Sequence, residues 1–161
     1  MKNKSSYLII YMLLGLVAGM LSPIQTSINS ELRSAIQSPL VAALVSFSVG
    51  TLALILLVLI LEHHRLVNTN LLEKGKMIIS GSPWWLWIGG MLGVIFVTSN
   101  IFLLPIIGAA LTVVLALCGQ MVIALIIDHF GWFGVPKHPI NRQRIFGIIL
   151  MIAGIFLIQH F

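Results

Sequence analysis

The stretch "LALCGQMVIALIIDHFGWFG", residues 115–134, carries the pattern that decides the fold. An apolar run of helical length contains one amide, Gln120, and ends at the adjacent pair Asp128 and His129. About 20 apolar residues cross the hydrocarbon core of a bilayer as a helix, so this stretch predicts a membrane span. Because an unpaired amide is costly in hydrocarbon, Gln120 is expected to face other helices rather than lipid.

The composition of the whole chain extends this prediction. Of its 161 residues, 59% are hydrophobic and only 8% are charged, whereas a soluble chain needs charged residues over most of its helical surface. Five runs approach span length, at about 7–24, 40–61, 84–104, 109–127 and 145–161. The first follows two lysines, as a secretory signal does, but no small-x-small cleavage site follows it, and we expect a retained helix. The sequence therefore predicts an all-α integral membrane protein, with a bundle of five transmembrane helices in one domain over 1–161.

The basic residues predict the orientation of these spans. Eight fall on one side and Arg33 alone on the other; the eight are Lys2, Lys4, Arg65, Lys74, Lys76, Lys137, Arg142 and Arg144. Since basic loops stay cytoplasmic, we expect the N-terminus inside, the C-terminus outside and a cytoplasmic loop at about 62–83. The net charge of +5 is then a topology signal. Nucleic-acid binding is not expected, because no basic stripe with interleaved aromatics is present.

Polar residues interrupt the predicted spans at several depths. The candidates for a substrate path are Gln25, Asn29, Ser46, Asn100 and Gln120. At 1.5 Å per residue, Gln25 lies about 27 Å beyond the start of the first span, Asn100 about 24 Å into the third, and Gln120 about 12 Å before the end of the fourth. Staggered amides favour groups that line a path through the bilayer. The alternative, that each amide only joins neighbouring helices, stays open.

Two other features are predicted to hold or bend the bundle. Asp128 is expected to form an ion pair with Arg142 or Arg144 across the short last loop, fixing the fourth and fifth helices. Pro23 and Pro105 are expected to act as hinges, where the backbone bends or unwinds. Gln25 and Asn29 are four apart, and so share one helical face if the first helix continues past Pro23.

Enzyme signatures are missing from the sequence. It has no GxxxxGK, HExxH or GxSxG motif, so we predict no catalytic residues and no cofactor. His63 and His64 are adjacent and have no other ligand type close by in the sequence, so no metal site is expected there.

Three longer stretches resemble a known family. "SPIQTSINSELRSAIQSPLVAALVSFSVGTLAL", "WWLWIGGMLGVIFVTSNIFLLPIIGAALTVVLALCGQ" and "LIIDHFGWFGVPKHPINRQRIFGIILMIAGIFLI" are similar, in the same order, to the YdcZ-type proteins, small five-span members of the drug/metabolite transporter (DMT) superfamily. The matching pattern positions are Gln25, Asn29, Ser46, Gly50, Asn100, Pro105, Gly108, Gln120, Asp128, His129, Gly131 and Gly147. The resemblance implies a multi-pass protein of the bacterial inner (cytoplasmic) membrane that moves small molecules; it implies no particular substrate.

The odd number of spans bears on the mechanism. Transporters of this broad type have two inverted halves with the site between them, and this chain shows no internal repeat, so it is expected to be one half. We expect an oppositely oriented paralogue as partner, with a parallel homodimer as the alternative. The function predicted is alternating-access transport of a small-molecule solute, by metabolite or drug efflux or uptake, in contact with membrane lipid. The alternative function is a non-transporting membrane assembly or regulatory subunit.

Overall fold

The structure, a computed structural model, describes residues 2–61 and 81–160. Every regular element in these two ranges is a helix. The five long helices are α1 (Lys2–Ile36), α2 (Pro39–Leu61), α3 (Gly89–Ile107), α4 (Ala109–Phe130) and α5 (Arg142–His160), with single 3-10 turns at Trp84–Trp87 and Trp132–Gly134. All five are long and apolar enough to cross a membrane, which confirms the predicted all-α class with five candidate spans. Most of the expected loop at 62–83, including His63 and His64, lies outside the described residues.

Helix α1 extends well past residue 24, where the first apolar run ends, and contains Pro23 in its interior. Beyond Pro23, hydroxyl side chains bond to the backbone of their own helix. Thr26 Oγ1 donates to the Ser22 carbonyl at 3.0 Å, and Ser34 Oγ donates to the Ser30 carbonyl at 3.2 Å. Such bonds satisfy polar side chains inside a membrane helix, so a polar sequence continues as helix to Ile36.

A two-residue connection joins α1 to α2. Gln37 adopts a positive φ of 60°, and its N–H donates to the Arg33 carbonyl at 2.7 Å, which ends α1. Ser38 Oγ then accepts the Val41 N–H at 3.3 Å, and Pro39 is the first residue of α2. A serine N-cap followed by proline starts a helix efficiently. Leu32 of α1 packs against the cluster of Ala42, Ala43 and Ile101, and a connection this short is typical of antiparallel neighbouring helices.

The chain divides into two compact units, one at Ile28–Phe102 and the other formed by Met1–Ser27 and Leu103–Phe161. The core of the Ile28–Phe102 unit consists of Ala42, Ala43 and Ile101, with Leu32 and Val97 packed against it.

The packing of α2 on α3 sets the direction of α3. A Cβ added to Gly93 would lie 3.6 Å from Cζ of the Phe47 ring, while Ile101 packs with Ala42 and Ala43. Residue numbers therefore rise along α2 as they fall along α3, and the two helices are antiparallel. Since α1 is also antiparallel to α2, α1 and α3 run parallel within this unit.

In the other unit, a tight turn returns the chain from α4 to α5. Gly131, at a φ of +67°, ends α4 in the left-handed conformation, and a Cβ there would lie 2.6 Å from Cγ of Lys137. The His138 N–H donates to the Asp128 carbonyl at 2.9 Å. Asn141 Oδ1 then accepts the Arg144 N–H at 2.9 Å and caps α5. This turn places the first turn of α5 beside the last turn of α4.

Candidate functional site

Polar side chains are buried in the Ile28–Phe102 unit. The exposed fraction is 4% for Asn29, 6% for Ser30 and 7% for Asn100, and Arg33 is half-buried. Asn29 and Arg33 are four apart on α1 and therefore share a face. We call Asn29, Ser30, Arg33 and Thr98 the α1–α3 polar cluster. Asn100 is two residues from Thr98, about 200° round α3, and lies on another side of that helix.

Arg33 sets the register between the two helices. Its Nη1 donates to the Ile101 carbonyl at 3.4 Å, and its guanidinium carbon lies 5.6 Å from the centroid of the Phe102 ring, a cation–π distance. Asn29 lies on α1 one helical turn, about 5.4 Å, before this contact. Because α1 and α3 are parallel, Val97 and Thr98 lie one turn before it on α3. Asn29 and Thr98 therefore lie at a similar height in the unit.

Two atoms of the cluster lack partners. Asn29 Nδ2 and Thr98 Oγ1 are buried, and neither has a hydrogen bond to any described residue. A buried polar group left unsatisfied costs about 1–3 kcal/mol, and native structures leave few of them. The cluster therefore has hydrogen-bonding capacity that the described part of the chain does not use.

The electrostatics of the cluster are one-sided. Arg33 supplies a permanent positive charge, and the amide of Asn29 adds N–H donors. Among residues 28–61 and 81–102, the only acidic side chain is Glu31, which is exposed and makes no ion pair there. The arrangement can bind a group that accepts several hydrogen bonds.

The other polar residues expected along a path have different surroundings. Ser46 is half-buried on α2, whereas Gln25 and Gln120 are exposed. Gln120 makes no hydrogen bond to a described residue, and residues 119–124 of α4 are exposed throughout, whereas 125–128 are half-buried. The expectation that Gln120 faces other helices stays a prediction.

The carboxylate expected in an ion pair lies between α4 and α5. Asp128 Oδ2 is 2.9 Å from Arg144 Nη1, with 30% and 36% of the two side chains exposed. Arg142 makes no ion pair with a described residue. The pair borders an open pocket of about 490 Å³ whose polar lining is Asp128, Asn141, Gln143 and Arg144. Within this pocket the carboxylate and Arg144 already neutralise each other.

The two expected hinges lie inside continuous helices, Pro23 in α1 and Pro105 in α3. The helix is interrupted later, at Gly108, whose φ is +81°. Sequence reasoning missed three members of the polar cluster. The distribution of basic residues indicates Arg33 only as the single cation on its side of the membrane, and the polarity pattern singles out Asn29 and Asn100 without Ser30 or Thr98. The signal available was spacing, since residues 29, 30 and 33 share a helical face.

Comparison with known proteins gives a consistent result. A family model described as "Putative inner membrane exporter, YdcZ" matches residues 10–157. The inner membrane protein YdcZ of Escherichia coli (strain K12) is 32% identical over 83 residues, which cover 52% of this chain and 55% of that protein. The similarity thus spans about half the length of the curated relative. No solved structure matches the chain.

Proposed function

The chain belongs to the YdcZ family of the DMT superfamily, a family of inner-membrane exporters, and we propose that it exports a small polar solute by alternating access as a dimer. It is a protein of the inner membrane with five candidate spans. In the proposed mechanism the helices rock around a polar cavity and expose it to each side in turn. Family membership supports transport over the alternative of a non-transporting assembly or regulatory subunit.

The observation that carries this proposal is the unpartnered amide of Asn29. Its Nδ2 is buried without a hydrogen bond to a described residue, although the side chain is only 4% exposed. An amide whose role is to join helices would be bonded to a neighbouring helix. A buried donor without a partner suits a group that meets a solute during the transport cycle.

The proposed path contains the five polar residues expected from the sequence, namely Gln25, Asn29, Ser46, Asn100 and Gln120. Pro23 and Pro105 are the proposed hinges, because each removes one backbone hydrogen bond from a long helix and so makes bending easier. The Asp128–Arg144 pair is proposed to hold α4 against α5, since its two charges satisfy each other at 2.9 Å.

The exposure of Gln120 supports a dimer. An amide on the exposed 119–124 segment of α4 would lie in hydrocarbon if lipid alone surrounded the helix, at a cost that a second chain would remove. We propose that this partner is an oppositely oriented paralogue, with a parallel homodimer as the alternative. The eight-to-one distribution of basic residues supports one fixed orientation, with the N-terminus inside.

A transport assay tests the export proposal. Everted membrane vesicles from cells expressing the wild type are expected to accumulate at least one labelled polar solute from a panel. Asn29→Leu should lower the initial rate about tenfold at equal protein level, as loss of about 1.4 kcal/mol of hydrogen bonding predicts. The matched control is Ser48→Ala, because Ser48 Oγ already donates to the Leu44 carbonyl of its own helix at 2.8 Å. Absence of transport by the wild type, with Asn29→Leu altering only assembly, would favour the non-transporting subunit.

Cysteine cross-linking tests the proposed partner contact at Gln120. In a Cys118→Ser background, Gln120→Cys is expected to form an intermolecular disulfide on mild oxidation in membranes, or to react with a paralogue carrying a cysteine at the matching position. The control is Leu14→Cys, because that side chain is 60% exposed in an apolar stretch of α1. Equal cross-linking at both positions would indicate random collision and argue against a specific interface.

Reporter fusions at the C-terminus test the orientation. Alkaline phosphatase fused after residue 161 is expected to be active and a fluorescent protein at the same position dark, since only the former matures outside the cytoplasm. Equal signals from both reporters would contradict a single fixed topology and would favour an antiparallel homodimer.

A further inference from the structure

Among the described residues, Arg33 has no counter-ion. Its one hydrogen bond to that part of the chain is the 3.4 Å contact from Nη1 to a backbone carbonyl, that of Ile101. No described carboxylate lies within 4.0 Å of its guanidinium. Glu31 is only two residues away, but two helical steps of about 100° direct the two side chains to opposite sides of α1. Most of the five N–H donors of the guanidinium therefore remain available.

The buried neighbours of Arg33 extend this set of donors. Asn29 is one turn away on the same face of α1, and its Nδ2 is buried and unpartnered. Thr98 Oγ1, at the height of Asn29 on α3, is also buried without a partner and can donate an O–H. The cluster thus has more hydrogen-bond donors than acceptors, carries a positive charge and contains no carboxylate.

Resting on the proposed function, we infer that the exported solute carries an anionic oxygen group, a carboxylate or a phosphate, and that Arg33 and Asn29 bind it. The guanidinium donates two parallel N–H bonds to two oxygens of the anion, a geometry that arginine favours. Asn29 Nδ2 donates a third bond. The contact to the Ile101 carbonyl is long and is given up when the anion binds.

The same arrangement selects against cations. A positively charged solute would approach the guanidinium of Arg33 with no carboxylate in the cluster to compensate, and like charges repel each other. The pocket beside Asp128 does not provide an equivalent anion site, because its Arg144 is already paired at 2.9 Å. Arg33 is therefore the specificity-determining residue, and Asn29 completes its recognition of the anion.

An anionic lipid headgroup offers the same chemistry as an anionic solute. Burial favours the solute, because Asn29 is 96% buried, whereas a headgroup would reach only the surface of the bundle. The two sources are separated by adding the solute in a lipid-free neutral detergent, and by adding phosphatidylglycerol in a separate arm.

The experiment measures ligand-dependent thermal unfolding of the purified full-length chain at constant ionic strength. The probes are succinate, citrate and inorganic phosphate, with succinamide as the neutral match and putrescine as the cation. At least one of the anions is expected to raise the melting temperature with saturation, while succinamide and putrescine do not. Arg33→Gln should weaken the apparent affinity about tenfold or more, as loss of charged hydrogen bonds predicts. Arg142→Gln, which removes the same charge from an arginine without an ion pair among described residues, should leave it unchanged.

Two further variants keep the test valid if Arg33→Gln folds poorly. Arg33→Lys retains the charge but loses the paired donors, and an intermediate affinity is expected. Asn29→Asp places a carboxylate four residues before Arg33, where it can pair with the guanidinium. It should raise the melting temperature without ligand and abolish the response to anions.

The outcomes separate this inference from the proposed export function. Stabilisation and transport of neutral or cationic solutes, unaffected by Arg33→Gln, would overturn the anion inference and leave export standing. Stabilisation by phosphatidylglycerol alone would assign Arg33 to lipid and also overturn it. No response to any probe would overturn the inference, because the cluster lies within one chain and needs no partner to form. Transport of no solute at all, together with saturable anion binding, would instead contradict export while supporting the site.

Discussion

The two halves of α1 have opposite characters. In the segment 7–21 every side chain is exposed, and the large apolar ones such as Leu8 and Leu14 are each 60% exposed. In the second half, Asn29 and Ser30 are 4% and 6% exposed. A soluble helix shows the reverse distribution, with apolar residues inside. The difference indicates that lipid is the solvent of the first half, since hydrocarbon accepts leucine but not an unpaired amide.

Small residues show the same contrast. Gly15 and Gly19 are four apart on the exposed half of α1, and a Cβ added to either would meet nothing within 4 Å. Gly93 on α3 would instead bring its Cβ to 3.6 Å from the Phe47 ring. A small-xxx-small spacing permits close approach of another helix but does not supply that helix. In α1 the two glycines lie on an open face, whereas in α3 Gly93 contacts a neighbouring helix.

The largest effect is expected from placing a charged residue in the exposed, apolar half of α1. Leu14→Arg should weaken membrane insertion of α1 by about 2.5–3.5 kcal/mol, because an arginine near the middle of a span must be hydrated or displaced toward the interface. Leu14→Ala should have a far smaller effect. Insertion can be measured by placing the segment in a host protein with glycosylation sites on both sides. Insertion of Leu14→Arg equal to wild type would mean that this half does not face lipid.

The second-largest effect is expected from overpacking the core of the Ile28–Phe102 unit. Ala43 is 1% exposed, so Ala43→Leu should lower the free energy of unfolding by about 1–3 kcal/mol. Ala18→Leu makes the same change on the exposed half of α1 and should shift it by less than about 0.5 kcal/mol. Denaturant unfolding in detergent micelles measures both. Equal losses for the two variants would show that α1 is packed along its whole length.

A smaller effect is expected for the ion pair between α4 and α5. Arg144→Gln should lower the free energy of unfolding by about 0.2–1 kcal/mol, because both side chains are partly exposed and screened. A double-mutant cycle with Asp128→Asn isolates the coupling, which should shrink at high salt. Coupling that exceeds this range, or is insensitive to salt, would indicate a pair shielded from water in the assembled protein.

The smallest change in stability is expected where the polar group has no partner. Asn29→Leu should leave the free energy of unfolding within about 0.5 kcal/mol of wild type or raise it, because no hydrogen bond from Nδ2 is lost. Thr112→Val is the comparison, since Thr112 is 2% exposed and its Oγ1 donates to the Gly108 carbonyl at 2.7 Å. Unfolding in detergent should show a larger loss for Thr112→Val. The reverse order would show that Asn29 is a structural joint between helices.

Much of the fold could be predicted because span length and hydropathy are local properties. The five helices follow from runs of apolar residues, and so does the all-α class. The end of α1 could not be predicted, since Pro23 and the polar residues after it resemble a boundary. Helix continues there because hydroxyls such as that of Thr26 bond to carbonyls of their own helix.

The candidate site was predicted less completely. Asn29 and Asn100 were named from polarity and depth, and both are buried in one unit. Arg33 was used only as a topology marker, because its importance depends on what surrounds it in space. Likewise, the sequence offered Arg142 and Arg144 equally as ion-pair partners of Asp128. Only the Asn141 cap selects Arg144, because it starts α5 one turn before that residue.

The sequence by itself determined the solvent of this protein, the number of its spans and its family, because hydropathy, span length and motif order are properties of the linear chain. The tertiary structure alone decided which polar groups are paired. Arg144 faces a carboxylate, whereas Arg33 contacts, among the described residues, a backbone carbonyl and an aromatic ring. That distinction depends on the parallel register of α1 and α3, set by helices packing against a shared neighbour, α2. Pairing of charges between distant segments is a matter of distance in space, which no local pattern records.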